Sequence, residues 1–275
     1  MSTVNFYLKL SRPRFWIYLL GPYLVGLAAT GDQFLFTTEI FVFLLFFLFP
    51  ANFFLYGIND IFDYETDRLN PKKVEYEVTV TPKQQKKLFA KILLIIFPFF
   101  IYSLFISVEF SIILLIFTIL SFEYSAPPIR AKTKPFLDML FNSLYILPAF
   151  LGYLLVTGST PLGWAFVGGV LWAMAMHAYS AVPDIQIDKK AGMTTIATYL
   201  GFKKTLYMCI FFYVLAALIG YTYLGLPVIL LGFVYVLLMI FSLRKKESDI
   251  LNIYKIFPVI NTISGGIIFL LIFLK

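Results

Sequence analysis

The chain has 275 residues, 60% of them hydrophobic and only 13% charged, with a formal net charge of +7 and a mean hydropathy of +0.87. That composition excludes a water-soluble domain and a disordered chain, and identifies an integral membrane protein. Cys209 is the sole cysteine, which excludes an internal disulfide and any multi-cysteine metal site.

Apolar runs of the length that crosses a bilayer as helix, about 17 to 25 residues, recur along the whole chain, and about nine are expected. In chain order they cover 15–30, 39–58, 89–107, 110–124, 138–157, 161–180, 205–224, 226–243 and 255–274. Lys9, Arg12, Pro13 and Arg14 precede the first run and no small-residue cleavage site follows it, so it is expected to be a retained helix and not a signal peptide. The runs do not alternate polar with apolar residues, which argues against a transmembrane β-barrel. The expected fold is all-α, a polytopic membrane bundle of about nine helices forming one domain over residues 1–275. The joints are short apart from the stretch Asn59 to Lys87, with no low-complexity linker and no sharp repeat.

Of the 22 Lys and Arg residues, all but Lys275 fall in every second joint or at its edge: before run one and after runs two, four, six and eight, with Lys91 and Lys255 at the starts of the runs that follow. This is the positive-inside pattern, and it places those joints at the cytoplasmic face of a multi-pass cell-membrane protein. The lysines at 83, 86, 87, 91, 203 and 204 read as topology anchors that meet lipid headgroups. The basic character is thereby assigned to the bilayer; no nucleic acid and no obligate protein partner is inferred.

Two acidic clusters interrupt the apolar sequence. The first, after run two, is Asn59-Asp60-Ile61-Phe62-Asp63-Tyr64-Glu65-Thr66-Asp67, and the second, after run six, is Asp184-Ile185-Gln186-Ile187-Asp188. Asp60, Asp63 and Asp67 stand at i, i+3 and i+7, and Asp184 and Asp188 at i and i+4, so on a helix each set projects from one face. An even number of runs separates the clusters, which puts both on the cytoplasmic side. Carboxylates beside membrane helices are costly and usually serve function.

The basic residues beside the acids are Lys72, Lys73, Arg130, Lys132, Lys189 and Lys190. Carboxylates alone would bind a divalent cation; acids and bases together suit a metal-bound diphosphate. Mg²⁺ takes oxygen ligands, typically one or two carboxylates plus phosphate oxygens, and Arg and Lys neutralise a departing phosphate. An apolar and aromatic chamber would hold the lipid part of such a substrate. His177, two turns before Asp184, is a candidate for lining the pocket or accepting a proton, with simple packing as the alternative. Pro183 is expected to end or bend helix six next to Asp184.

These motifs closely resemble the UbiA superfamily of intramembrane prenyltransferases. The resemblance rests on Asn59-Asp60-x-x-Asp63-x-x-x-Asp67 followed by Asn70-Pro71-Lys72-Lys73, on Tyr124-Ser125-Ala126-Pro127-Pro128-Ile129-Arg130-Ala131-Lys132, and on Asp184-x-x-x-Asp188-Lys189-Lys190-Ala191-Gly192. It covers essentially the whole chain and implies a nine-helix bundle with Mg²⁺ as cofactor. It implies a prenyl diphosphate bound between the aspartate motifs and an opening to the bilayer for a lipophilic acceptor. Position by position, it makes Asn59, Asp60, Asp63, Asp67, Asp184 and Asp188 the metal and diphosphate residues, with Arg130, Lys132 and Tyr124 at the diphosphate. One departure is that Lys72-Lys73 is followed by Val74-Glu75-Tyr76-Glu77, where many relatives carry a basic, Pro- or Gly-containing continuation.

Within the superfamily, His177 to Asp184 and Lys134 to Asp138 look most like the lycopene elongases, the carotenoid-modifying branch. The segment Tyr124 to Pro128 is also similar to the chlorophyll synthase branch and does not discriminate. The reaction implied is transfer of an allylic prenyl group to a carotenoid such as lycopene, with a quinone precursor, a chlorophyllide-type ring or a glycerol-phosphate lipid as rival acceptors. A cation-coupled transporter is the alternative of another class, and it predicts acids at the bilayer midplane and not at helix ends.

Overall fold

The computed structural model of the protein describes residues 3–31, 36–64, 80–160 and 163–275, which form helices and no strand. The first part of the chain gives α1 (Thr3–Leu10), α2 (Ile17–Ala28), α3 (Thr38–Leu48), α4 (Pro50–Phe62), α5 (Pro82–Ser103) and α6 (Val108–Ser125). The rest gives α7 (Leu137–Leu140), α8 (Leu147–Thr157), α9 (Trp164–Ala181), α10 (Ile185–Lys190), α11 (Ile196–Leu200), α12 (Phe202–Leu224), α13 (Leu226–Leu243), α14 (Ile250–Tyr254) and α15 (Phe257–Phe273). Contacts divide the chain into two compact units, residues 1–130 with 147–159, and residues 131–146 with 160–275.

Six described helical segments are long and apolar enough to cross a membrane, or seven if the bent pair Glu247–Tyr254 and Phe257–Phe273 is one span. The expected runs 15–30 and 89–107 correspond to α2 and α5. Of these, α2 is short, with 12 residues, and the amino-terminal half of α5 is rich in lysine. The outer surface suits lipid: Leu94, Phe97 and Phe211 are more than half exposed, a pattern that would be a liability in water.

In the first unit, α2 and α8 approach so closely that only glycine fits. A Cβ on Gly26 would stand 1.9 Å from Ala149 O, and one on Gly152 would stand 2.5 Å from Tyr23 O. Lipid gives helices no hydrophobic reason to associate, so close backbone approach and dispersion contacts hold such pairs. The run expected as one helix over 39–58 is broken between α3 and α4. Pro50 brings no N–H, and two of the carbonyls left open at the end of α3 are taken by Asn52, whose Nδ2 donates to Phe47 O at 2.8 Å and to Leu48 O at 3.2 Å. A backbone acceptor left open in hydrocarbon would cost several kcal/mol, roughly. The whole segment Thr38–Phe62 remains one 25-residue span. The start of α5 is fixed by a capping box between Thr81 and Gln84.

In the second unit, α9 packs on α12 and α12 on α13, again through glycine: a Cβ on Gly232 would meet Ala217 Cβ at 2.4 Å. Buried polar groups tie the remaining helices. Tyr179 Oη and Ser242 Oγ share a hydrogen bond of 3.0 Å, and Tyr235 Oη donates to Asn261 Oδ1 at 2.9 Å. The apolar helix that begins at Trp164 runs on to Lys190 but is interrupted at Pro183 by the 3₁₀ turn Val182–Asp184. That interruption delivers Asp184 to the start of α10.

Candidate active site

The first acidic cluster is built within the first unit. Asn59 and Asp60 occupy the last turn of α4, and Asp63 follows its end with φ −108° and ψ 5°. Of the single helical face expected through Asp60, Asp63 and Asp67, Asp60 lies on α4 and Asp63 caps its end after Phe62, while Asp67 lies outside the described residues. Its open carbonyls find side chains instead, Ile61 O accepting from Gln85 Nε2 at 2.9 Å and Phe62 O from Arg130 Nη2 at 3.4 Å. Asn59 Nδ2 donates to Ser125 Oγ at 3.0 Å, linking α4 to the end of α6.

Two arginines reach the acids. Arg12 Nη2 lies 2.6 Å from Asp60 Oδ1, the acid buried and the arginine largely so. Its guanidinium also lies over the Tyr56 ring, 4.7 Å from the centroid. Arg130 Nη2 lies 3.7 Å from Asp63 Oδ1. Both arginines have left-handed backbones, φ 51° at Arg12 and 46° at Arg130, a conformation that costs a non-glycine residue energy and concentrates at functional sites. The loop carrying Arg130 is held at both ends: Ile129 N donates to Glu123 Oε2 at 3.1 Å, and Arg130 N to Ala126 O at 2.9 Å. Tyr124 is half-buried in the last turn of α6.

The second cluster is built within the second unit. Asp184 ends the 3₁₀ turn, half-buried, and Asp188 is buried on α10. Lys189 and Lys190 are exposed at the end of α10. Lys132 is buried in the 3₁₀ turn Ala131–Thr133. His177 Nε2 stands 3.5 Å from Asp138 Oδ2, an acid with no exposed surface. The expected site residues Asp67, Lys72 and Lys73, and the Asn70-Pro71 pair before the lysines, lie outside the described residues.

Sequence reasoning had assigned Arg12 to membrane topology and had no role for Glu123, Ser125, Asp138 or Thr195. A signal existed for Asp138, an acid at the start of an otherwise apolar run. None existed for Arg12, whose partner is 48 residues away.

Among the described residues, no three His, Cys, Asp or Glu side chains gather closely enough to hold a metal alone. Mg²⁺ does not require such a group, because it usually completes its shell with phosphate oxygens and water around one or two carboxylates. Asn59, Asp60 and Asp63 in the first unit, and separately Asp184 and Asp188 in the second, are hard oxygen donors of the kind it takes, so each cluster by itself has the chemistry that suits that ion.

The chain is similar to known proteins in both sequence and fold. The model of the UbiA prenyltransferase family matches residues 19–251. The chain is 42% identical to the lycopene elongase/hydratase of Haloarcula japonica over 267 residues, 96% of this chain and 90% of that one. It is 38% identical to the lycopene elongase/hydratase of Haloferax volcanii, over 94% of this chain and 85% of that one. Its fold resembles that of a UbiA homolog from Archaeoglobus fulgidus solved with DMAPP and Mg²⁺, with a TM-score of 0.71 at 21% identity over 96% of this chain and 99% of that one.

Proposed function

This chain belongs to the UbiA prenyltransferase family, and on that premise we propose that it transfers an allylic prenyl group from a prenyl diphosphate to a linear carotenoid such as lycopene. The observation that carries the acceptor is the 42% identity to a lycopene elongase/hydratase over 96% of the chain. The chemistry of the acceptors separates them: one without charge needs no buried ionic anchor, whereas a carboxylated quinone precursor would want a basic partner near its reacting carbon.

In this reading Asn59, Asp60, Asp63, Asp67, Asp184 and Asp188 bind Mg²⁺ and the diphosphate on the cytoplasmic side. Bound Mg²⁺ supplies charge to the leaving diphosphate. Arg130, Lys132, Lys72, Lys73, Lys189 and Lys190 add positive charge there, with Tyr124 beside them. The C–O bond breaks with its electron pair leaving on the diphosphate, and the allylic cation is attacked by a terminal double bond of the polyene, forming a C–C bond. The new cation ends by losing a proton or by adding water and then losing one. His177 lines the pocket or accepts a proton. The apolar interior excludes water until that last step.

The test is to express the protein in a lycopene-producing host and extract pigments. Longer carotenoids, with or without added hydroxyl groups, are expected. Untouched lycopene together with prenylation of an added hydroxybenzoate or naphthoate would overturn the acceptor and leave the family.

A further inference from the structure

Asp138 joins parts of the second unit that are far apart in sequence. Its two carboxylate oxygens are both engaged: Oδ1 accepts from Met139 N at 2.9 Å and Oδ2 from Ile196 N at 2.6 Å. The same Oδ2 stands 3.5 Å from His177 Nε2, and no part of the side chain is exposed. The residue is itself held, since Asp138 N donates to Lys134 O at 2.9 Å and Asn142 Nδ2 to Asp138 O at 2.7 Å.

Ile196 opens α11, and the residue before it, Thr195, is the cap of that helix. Thr195 Oγ1 lies 3.5 Å from Asp188 Oδ2, and Met193 N donates to Asp188 O at 2.9 Å. A buried carboxylate thus grips the backbone immediately after a side-chain hydroxyl that faces the carboxylate of Asp188. At 3.5 Å the hydroxyl contact is longer than an ordinary O–H···O bond, so a shift of a few tenths of an ångström in the turn decides whether it forms.

We propose that Asp138 is a positioning residue for the second acidic cluster: it fixes the Thr195–Ile196 turn so that Thr195 orients the Asp188 carboxylate for its cation. The proposal rests on the reading of Asp188 as a metal residue. Partners of this kind orient ligating carboxylates, and their loss typically costs about 10- to 100-fold in metal affinity or activity. Asparagine cannot replace Asp138, because its amide has a single oxygen where two N–H donors must be accepted. Thr195→Val keeps the shape of the cap residue and removes the hydroxyl; Thr195→Ser keeps the hydroxyl.

The experiment uses the full chain in detergent with Mn²⁺ as the probe and inorganic pyrophosphate present, free and bound Mn²⁺ being distinguished by electron paramagnetic resonance. Thermal unfolding of each variant is recorded in parallel. Thr195→Val is expected to raise the half-saturating Mn²⁺ concentration about 10-fold while Thr195→Ser stays near the wild type. Folded Asp138→Asn is expected to move in the same direction as Thr195→Val. Folded Asp138→Asn that binds as the wild type does would overturn the role of Asp138; should it fail to fold, the Val and Ser pair still decides whether the turn that Asp138 holds orients Asp188. Equal binding by Thr195→Val and wild type, or equal loss in Val and Ser, would overturn the positioning role and leave the metal reading intact. Absence of Mn²⁺ binding in the wild type would overturn both.

Discussion

Arg12 and Asp60 form a buried ion pair, Nη2 to Oδ1 at 2.6 Å, between the turn after α1 and the last turn of α4. Only 11% of the Arg12 side chain and 2% of the Asp60 side chain are exposed. The Ser11 carbonyl and hydroxyl both accept from Trp16 Nε1 at 3.1 Å, which closes the turn behind the arginine. A basic residue that could have served topology alone is thus committed to the first acidic cluster.

Arg12→Ala is expected to leave the Asp60 carboxylate buried without its guanidinium. Removing one member of a buried pair costs about 3 to 5 kcal/mol, so thermal unfolding in detergent should occur at a clearly lower temperature. Added Mg²⁺ with pyrophosphate should recover part of the loss, since a cation restores positive charge beside the acid. An unchanged unfolding temperature would remove the pair from the stability of this region.

The apolar runs and the two acidic clusters were legible in the sequence because membrane helices must be long and oily and because intramembrane acids are rare. What was not legible depends on pairing across distance. Arg12 meets Asp60 and Asp138 meets Ile196 through contacts spanning 48 and 58 residues, respectively, which no local periodicity encodes. The break at Pro50 was hidden inside a continuous apolar run; Asn52, the residue that satisfies it, reads in sequence as one more polar interruption. Helical spacing likewise suggested that α4 would carry Asp63, whereas α4 ends at Phe62 and its last carbonyls accept from the distant side chains of Gln85 and Arg130.

Arg130→Ala is expected to lower the maximal rate of diphosphate release by about 100- to 1000-fold, the usual cost of losing one charge-stabilising group, while changing the KM for acceptor little. Glu123→Gln, which weakens the anchor on Ile129 N, should lower the same rate by a smaller factor. Single-turnover release of pyrophosphate separates the two effects. A loss confined to acceptor KM would place Arg130 away from the leaving group.

Glycines in this protein should divide by their surroundings. Gly26→Ala is expected to destabilise by at least about 1 to 3 kcal/mol as an overpacked contact, because its Cβ would meet the Ala149 backbone at 1.9 Å. Gly265→Ala in α15 has open space within 4 Å and is expected to be neutral or stabilising by up to about 1 kcal/mol. Thermal unfolding of the two variants side by side checks the difference; equal effects would contradict the close packing of α2 on α8.

Asp63→Asn and Asp184→Asn are each expected to reduce pyrophosphate release by at least about 100-fold with unfolding temperatures near that of the parent. Chelator should abolish turnover and Mg²⁺ restore it, since carboxylates gathered around a diphosphate repel it unless a cation joins them. Full turnover in chelator would exclude the metal.

The most direct measurement is a reconstitution: purified protein in lipid nanodiscs with Mg²⁺, labelled dimethylallyl diphosphate and lycopene, the extracted carotenoids being resolved by mass. The expected result is label in carotenoids heavier than lycopene by one or two prenyl units, some carrying added water, with none formed by Asp184→Asn. Labelled diphosphate consumed with no label in any carotenoid, while a quinone precursor or a glycerol-phosphate lipid accepts it, would contradict the carotenoid assignment.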